Sequence, residues 1–161
     1  MKTLKKLSIL LFATLLWVGC SDDSNNPSSG DEFLTAKVDG ADFSSFEDSI
    51  GASIGTGGAG DVLAVQGSNN SGDYIRINIT SYTGVGTYTT GDAITNVSSL
   101  SYGSVTPLAA WTTTFDIGNG TVEITEDSAT HVKGTFSFTG LNSSDSTNKT
   151  ITQGEFSAEK Q

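Results

Sequence analysis

Residues 74–80 read Tyr-Ile-Arg-Ile-Asn-Ile-Thr, an unbroken alternation of polar or amphipathic and apolar side chains. In a strand successive side chains point to opposite faces, so Ile75, Ile77 and Ile79 go to a core and Tyr74, Arg76, Asn78 and Thr80 to the other side. A helix would put Ile77 on the side opposite Ile75 and Ile79. The same period of two recurs in Leu34, Ala36 and Val38, in Val122 and Ile124, and in Val132, Phe136 and Phe138. No segment repeats apolar residues at i, i+3 and i+4 over the ten or so residues that a helix needs.

Punctuation between these runs suits hairpins. Asp39-Gly40 is a two-residue turn pair that tolerates positive φ at both positions, and Asn119-Gly120 is read as a second one. Gly55 to Gly60 is read as a loop and Glu126 to Thr130 as a polar turn. Leu108 to Ile117 is expected as a strand carrying Trp111 and Phe115, with Pro107 confined to its start. Near the end of the chain, Ile151 differs in parity from Phe156 and Ala158. An extra residue near Gln153-Gly154, a β-bulge, would put all three on the core face. The expected fold is all-β: a single antiparallel β-sandwich or small meander barrel of about nine to eleven short strands over residues 33–161.

The segment before that domain has a different character. Lys2, Lys5 and Lys6 precede an apolar run from Leu7 to Val18, the layout of a signal peptide. A spanning helix would need roughly 20 apolar residues to cross about 30 Å of hydrocarbon. Val18-Gly19-Cys20 then resembles the lipobox of bacterial lipoproteins. That resemblance implies removal of residues 1–19 and a diacylglyceryl group on Cys20, with two or more acyl chains giving firm anchorage. Ser21, Asp22 and Asp23 resemble the acidic signal that exports Bacteroidetes lipoproteins to the outer face of the outer membrane. Residues 20–32 carry no apolar periodicity and read as a flexible tether, reaching about 20 Å on average.

Motifs scattered over the rest of the chain resemble an uncharacterised family of Bacteroidetes lipoproteins. They are Leu34-Thr-Ala-Lys-Val-Asp-Gly, Gly86-Thr-Tyr, Gly120-Thr-Val-Glu-Ile-Thr, Gly134-Thr-Phe-Ser-Phe-Thr and Ile151-Thr-Gln-Gly-Glu-Phe-Ser. The likeness implies a lipid-anchored β-domain at the cell surface and carries no activity with it. Asp48-Ser49-Ile50, Asp127-Ser128-Ala129 and Asp145-Ser146-Thr147 resemble the Bacteroidetes O-glycosylation pattern, making Ser49, Ser128 and Ser146 candidate acceptors.

Charge and residue inventory narrow the chemistry. After residue 19 the chain has eighteen acidic and five basic side chains, a net charge of −13. Such a surface repels phosphate backbones, so no nucleic acid partner is expected. By the lipobox resemblance the one cysteine would go to lipid, which would remove thiolate catalysis and sulfur-ligated metals. His131 is the only histidine and lies on the outward face with Lys133. No G-x-S-x-G elbow and no D-x-D-x-D-G loop occurs, and adjacent pairs such as Glu47-Asp48 and Glu126-Asp127 would point to opposite sides of a strand. No catalytic residue, metal or cofactor is assigned.

Tyr74, Tyr88 and Trp111 are the candidates for a glycan platform, since sugar C–H faces stack on aromatic rings; Trp111 is alternatively core. The leading expectation is a non-enzymatic accessory or binding module, anchored at Cys20 to the outer membrane and facing the cell surface. A glycan-binding module, a carboxylate-based hydrolase and a small-ligand carrier are the alternatives.

Overall fold

A computed structural model describes residues 32–58 and 60–161. The leader, Cys20, Ser21, Asp22, Asp23 and the tether up to residue 31 lie outside the described residues. The rest forms eleven strands and one 3₁₀ turn, Glu47–Ser49, with no α-helix among the described residues. The strands are β1 (Phe33–Val38), β2 (Ala41–Ser44), β3 (Gly51–Gly57), β4 (Gly60–Ser68), β5 (Tyr74–Tyr82) and β6 (Gly86–Thr90). They continue as β7 (Ser99–Val105), β8 (Leu108–Thr113), β9 (Asn119–Asp127), β10 (His131–Asn142) and β11 (Thr147–Glu159).

All eleven belong to one curled antiparallel sheet, a half-barrel, in the order β2-β1-β11-β10-β8-β7-β5-β4-β3. β10 is long enough to serve two neighbours on one side, β9 over residues 132–139 and β8 at Leu141, and β6 extends the branch beyond β9. The margins of the sheet come together. Ala52 of β3 bridges Lys160 beyond β11, and Gln161 N donates to Ala52 O at 2.9 Å. Phe46 N donates to Ser68 O at 3.0 Å, and the Ser49 hydroxyl bonds both Ser68 O and Ser68 N.

The alternation carries through to the core. Ile75, Ile77 and Ile79 are sealed from solvent, as are Leu34, Leu63, Val65, Leu100, Val132 and Ile151. Curling wraps this face inward, so the space inside the half-barrel is occupied by side chains, Phe136, Phe138 and Phe156 among them. A carrier with an internal ligand would need that volume. The Asp39-Gly40 turn has φ of 49° and 86°, and the bulge near Gln153 is present: Phe136 pairs with Gly154 but Phe138 with Ile151, and Gln153 has φ of 52°. Ile151, Phe156 and Ala158 therefore share the core face.

Several expected boundaries move. Asn119-Gly120 is not a turn but the start of β9, and the chain reverses instead at Thr114–Ile117, with Phe115 at φ 54° and Gly118 at φ 68°. Gly120 is small because Leu100, Thr90 and Phe138 crowd it; a Cβ there would lie 2.6 Å from Leu100 Cδ1. The strand expected to run to Ile117 stops at Thr113, which leaves Phe115 exposed in the turn. Gly55 to Gly60 forms the tip of a β3–β4 hairpin rather than a loop, paired down to Gly57 with Gly60. β3 has no alternation to announce it, because beyond Ala52 its residues are exposed.

Candidate functional site

Because Leu63, Val65, Ile75, Ile77 and Leu100 turn inward, the residues between them line up across the outer face of β3, β4, β5 and β7. The strand registers place Gly51, Gln66, Arg76 and Ser101 in one row and Ser53, Ala64, Asn78 and Ser99 in the next. Small side chains dominate these rows, so the larger polar ones stand over a shallow floor. The Gln161 side chain lies across Gly51, where a Cβ would come within 2.8 Å of its Nε2. Between these groups runs a groove of about 400 Å³, lined by Asp48, Ser53, Gln66, Arg76 and Gln161 among others.

Arg76 sets the electrostatics of this face. Its Nε and Nη2 donate to Gln66 Oε1 at 2.9 and 2.5 Å, and its Cζ lies 5.7 Å from the centre of the Tyr74 ring. Every lysine among the described residues meets a carboxylate: Lys37 with Asp42, Lys133 with Glu126, Lys149 with Asp39 and Lys160 with Asp127. Arg76 has no ion pair among the described residues. A guanidinium has five N–H donors, so three remain after the fork on Gln66. Tyr74 is held flat beside it by Gly103 on β7, where a Cβ would sit 2.2 Å from the ring.

The three aromatic candidates are not gathered on one surface. Trp111 is only 8% exposed, stacks on Tyr102 at 5.8 Å and donates Nε1–H to Thr147 Oγ1 at 2.9 Å. Phe43 meets Tyr102 edge-on, and Lys149 Nζ caps the pair 4.9 Å from the Trp111 ring. Burial first, then the Asp73 and Asp39 carboxylates, push the Tyr102 hydroxyl up. The Lys149 ammonium, then the Thr150 N–H, hold Asp39 below the usual carboxylate range. Tyr88 stacks on Tyr82 at 5.6 Å and donates to Gly84 O. Only Tyr74 stands on the outer face.

Carboxylates and the histidine are dispersed. The His131 ring nitrogen Nδ1 lies 2.9 Å from Thr130 Oγ1. Asp92, hydrogen-bonded by Thr89 and Asn96, and Asp145, hydrogen-bonded by Thr147, are both held low, opposite to the direction a general acid needs. Glu123 and Glu155 flank Thr135 in a second trough of about 310 Å³, and both are exposed. Among the described residues no group of three or more His, Cys, Asp or Glu is placed to hold a metal ion.

The three serines differ in access. Ser49 spends its hydroxyl on Phe46 O and Ser68, Ser128 bonds the His131 backbone from an exposed turn, and Ser146 is exposed at φ 61°. Arg76 and Gln66 are legible in the sequence only as polar outer-face residues. The available signal is that Arg76 is the one arginine in a strongly acidic chain. Nothing local announces Gln161, Gly51 or Gly103, because their role depends on strands far apart in sequence.

Residues 31–158 match the model of a family described as a domain of unknown function, DUF6252. No curated protein and no solved structure matches the chain.

Proposed function

The chain belongs to the DUF6252 family, and on that premise we propose that it is a lipid-anchored, non-enzymatic binding module of the cell envelope. Its anchor is Cys20 in the outer membrane, its stalk is the segment up to Glu32, and its binding surface is the outer face of β3, β4, β5 and β7 on the cell-surface side. The anchor rests on the basic and apolar run that ends at Val18-Gly19-Cys20 and on the acidic Ser21-Asp22-Asp23 that follows.

One observation carries the binding part: Arg76 keeps uncommitted donors above a polar groove while every described lysine is neutralised. An idle guanidinium costs nothing in water, yet here Gln66 and Tyr74 orient it, and orientation before binding lowers the entropy that association loses. The same groove is lined by one acidic side chain, Asp48. Glycoside hydrolysis needs two across one scissile bond, roughly 5–5.5 Å or 6.5–9.5 Å apart.

Intact mass and protease accessibility in the native cells, compared between wild type and Cys20→Ala, test the anchor. The expected result is a chain that starts at an acylated Cys20 and is digested by protease added outside, with the variant lost from the membrane fraction. An unmodified, freely soluble wild-type chain would overturn the anchor. An acylated chain that resists external protease would move the module to the periplasmic side.

A further inference from the structure

Resting on the reading of that outer face as a binding surface, we infer that its ligand is a saccharide bearing a single carboxylate on an otherwise neutral frame. Arg76 takes the carboxylate, the amides of Gln66 and Gln161 take hydroxyls, and Tyr74 supplies a face for the ring.

The charge balance selects the carboxylate. A guanidinium fork matches the two oxygens of a carboxylate in one plane and makes charge-assisted hydrogen bonds about twice as strong as neutral ones. The three N–H groups left by the bond to Gln66 can present such a pair. The rest of the molecule selects how many charges the ligand carries. With a net charge of −13 outside the leader, a polyanion would be repelled along its length, and the Debye length at physiological salt is about 8 Å, so only a local attraction survives. The groove offers one cation, Arg76, beside one acidic side chain, Asp48, so one anionic group is the most that it can pair. A phosphate ester, with nearly two negative charges and three strong acceptors, would leave charge uncompensated beside Asp48.

The uncharged partners select the frame. Gln66 has spent its carbonyl oxygen on Arg76, which leaves its Nε2 as a donor, and the Gln161 amide lies at the opposite wall over Gly51. Amides and serine hydroxyls give and accept neutral hydrogen bonds, which is what sugar hydroxyls ask for. Tyr74 cannot rotate into the sheet, because Gly103 beneath it is already filled by the ring. A fixed aromatic beside polar side chains offers an apolar face at small entropic cost. A groove of about 400 Å³ is at the lower end of the range for ligand sites and suits one or two sugar units.

The test titrates the purified full chain with two matched pairs, sialyllactose against lactose and cellobiouronic acid against cellobiose. NMR follows the Arg76 Nε–H and the backbone amides of β4 and β5. At least one acid should bind about tenfold tighter than its neutral partner, and Arg76→Gln should erase that preference while resonances of the core strands stay in place. Arg76→Lys, which keeps the charge and loses the fork, should retain part of it, and Tyr74→Ala should weaken both members of a pair.

Equal affinity for acid and neutral sugars would overturn the role given to the carboxylate and leave the binding face standing. Identical shifts with sodium acetate alone would overturn the saccharide and leave a bare anion site. No perturbation by any of the four sugars at tens of millimolar would overturn both the ligand and the binding face, whatever the outcome of the anchor test.

Discussion

At the scale of single residues, one ionic contact holds the end of the half-barrel where Trp111 lies. Lys149 sits over the Tyr102 and Trp111 rings and pairs with Asp39 at 2.8 Å, while Thr150 N donates to the other Asp39 oxygen. These bonds favour the ionised carboxylate, so the Asp39 pKa in the folded state lies below that of an ordinary aspartate. A carboxylate depressed on folding contributes stability above its unfolded pKa, and that contribution disappears as pH falls through the folded value. Lys149→Met keeps the stem over the rings and removes the principal cause of the shift. Urea melts between neutral pH and strong acid should show the variant losing less stability on acidification than wild type, by at most about 1 kcal/mol given solvent screening of an exposed pair. Equal acid sensitivity of the two proteins would show that Asp39 does not couple to Lys149.

At the scale of elements, β11 accommodates one extra residue. Gln153 sets Ile151 five residues from Phe156, so a regular strand would send Phe156 and Ala158 to the face opposite Ile151, and the bulge is what returns them to the core. Deleting Gln153 places Ile151 four residues from the next phenylalanine, in phase without a bulge, so the shortened strand should keep its core face and unfold cooperatively; Gln153→Gly, which accepts a φ of 52° without strain, should be neutral or stabilise by about 1 kcal/mol. Thermal melts of both variants check this, and loss of cooperative unfolding on deletion would show that the bend and twist of the bulge are themselves required. The bulge is legible in the sequence because three apolar side chains disagree in parity. Asn119-Gly120 misleads for the converse reason: the pair has turn chemistry, but Gly120 is small to admit Leu100 and Phe138 from other strands.

At the scale of the whole molecule, the sheet is completed by contacts between its margins. The Ser49 hydroxyl accepts from Ser68 N at 2.9 Å and approaches Ser68 O at 2.8 Å, alongside the backbone bond from Phe46. Ser49→Ala should cost about 1–3 kcal/mol, the range for leaving such partners unpaired. Hydrogen exchange should quicken at Ser68 and Phe46 while Ile77, sealed in the core, stays protected. Uniform loss of protection would mean that the margin opens only with global unfolding. The same bonds make Ser49 a poor acceptor for a sugar, since a glycosidic link would remove its donor proton; Ser128, which donates to His131 O, shares that cost, whereas Ser146 stands in an exposed turn.

By itself the sequence determined the all-β class, the inward set of nearly every strand and the parity break near Gln153. These follow from the two-residue period of a strand and the φ preferences of a few turn residues, which are local properties of the chain. Tertiary structure alone decided that β3 pairs at all, that the sheet curls until Ala52 meets Lys160, and that Trp111 faces the core while Tyr74 lies outside on Gly103. It also decided that Arg76 stands near Gln66, Tyr74 and Gln161 with no ion pair among the described residues. Those neighbours come from strands and a chain end up to 85 residues away, and no periodicity records which strand will lie beside which. Register between distant strands is settled by the packing of the whole core, and the candidate site is made of that register.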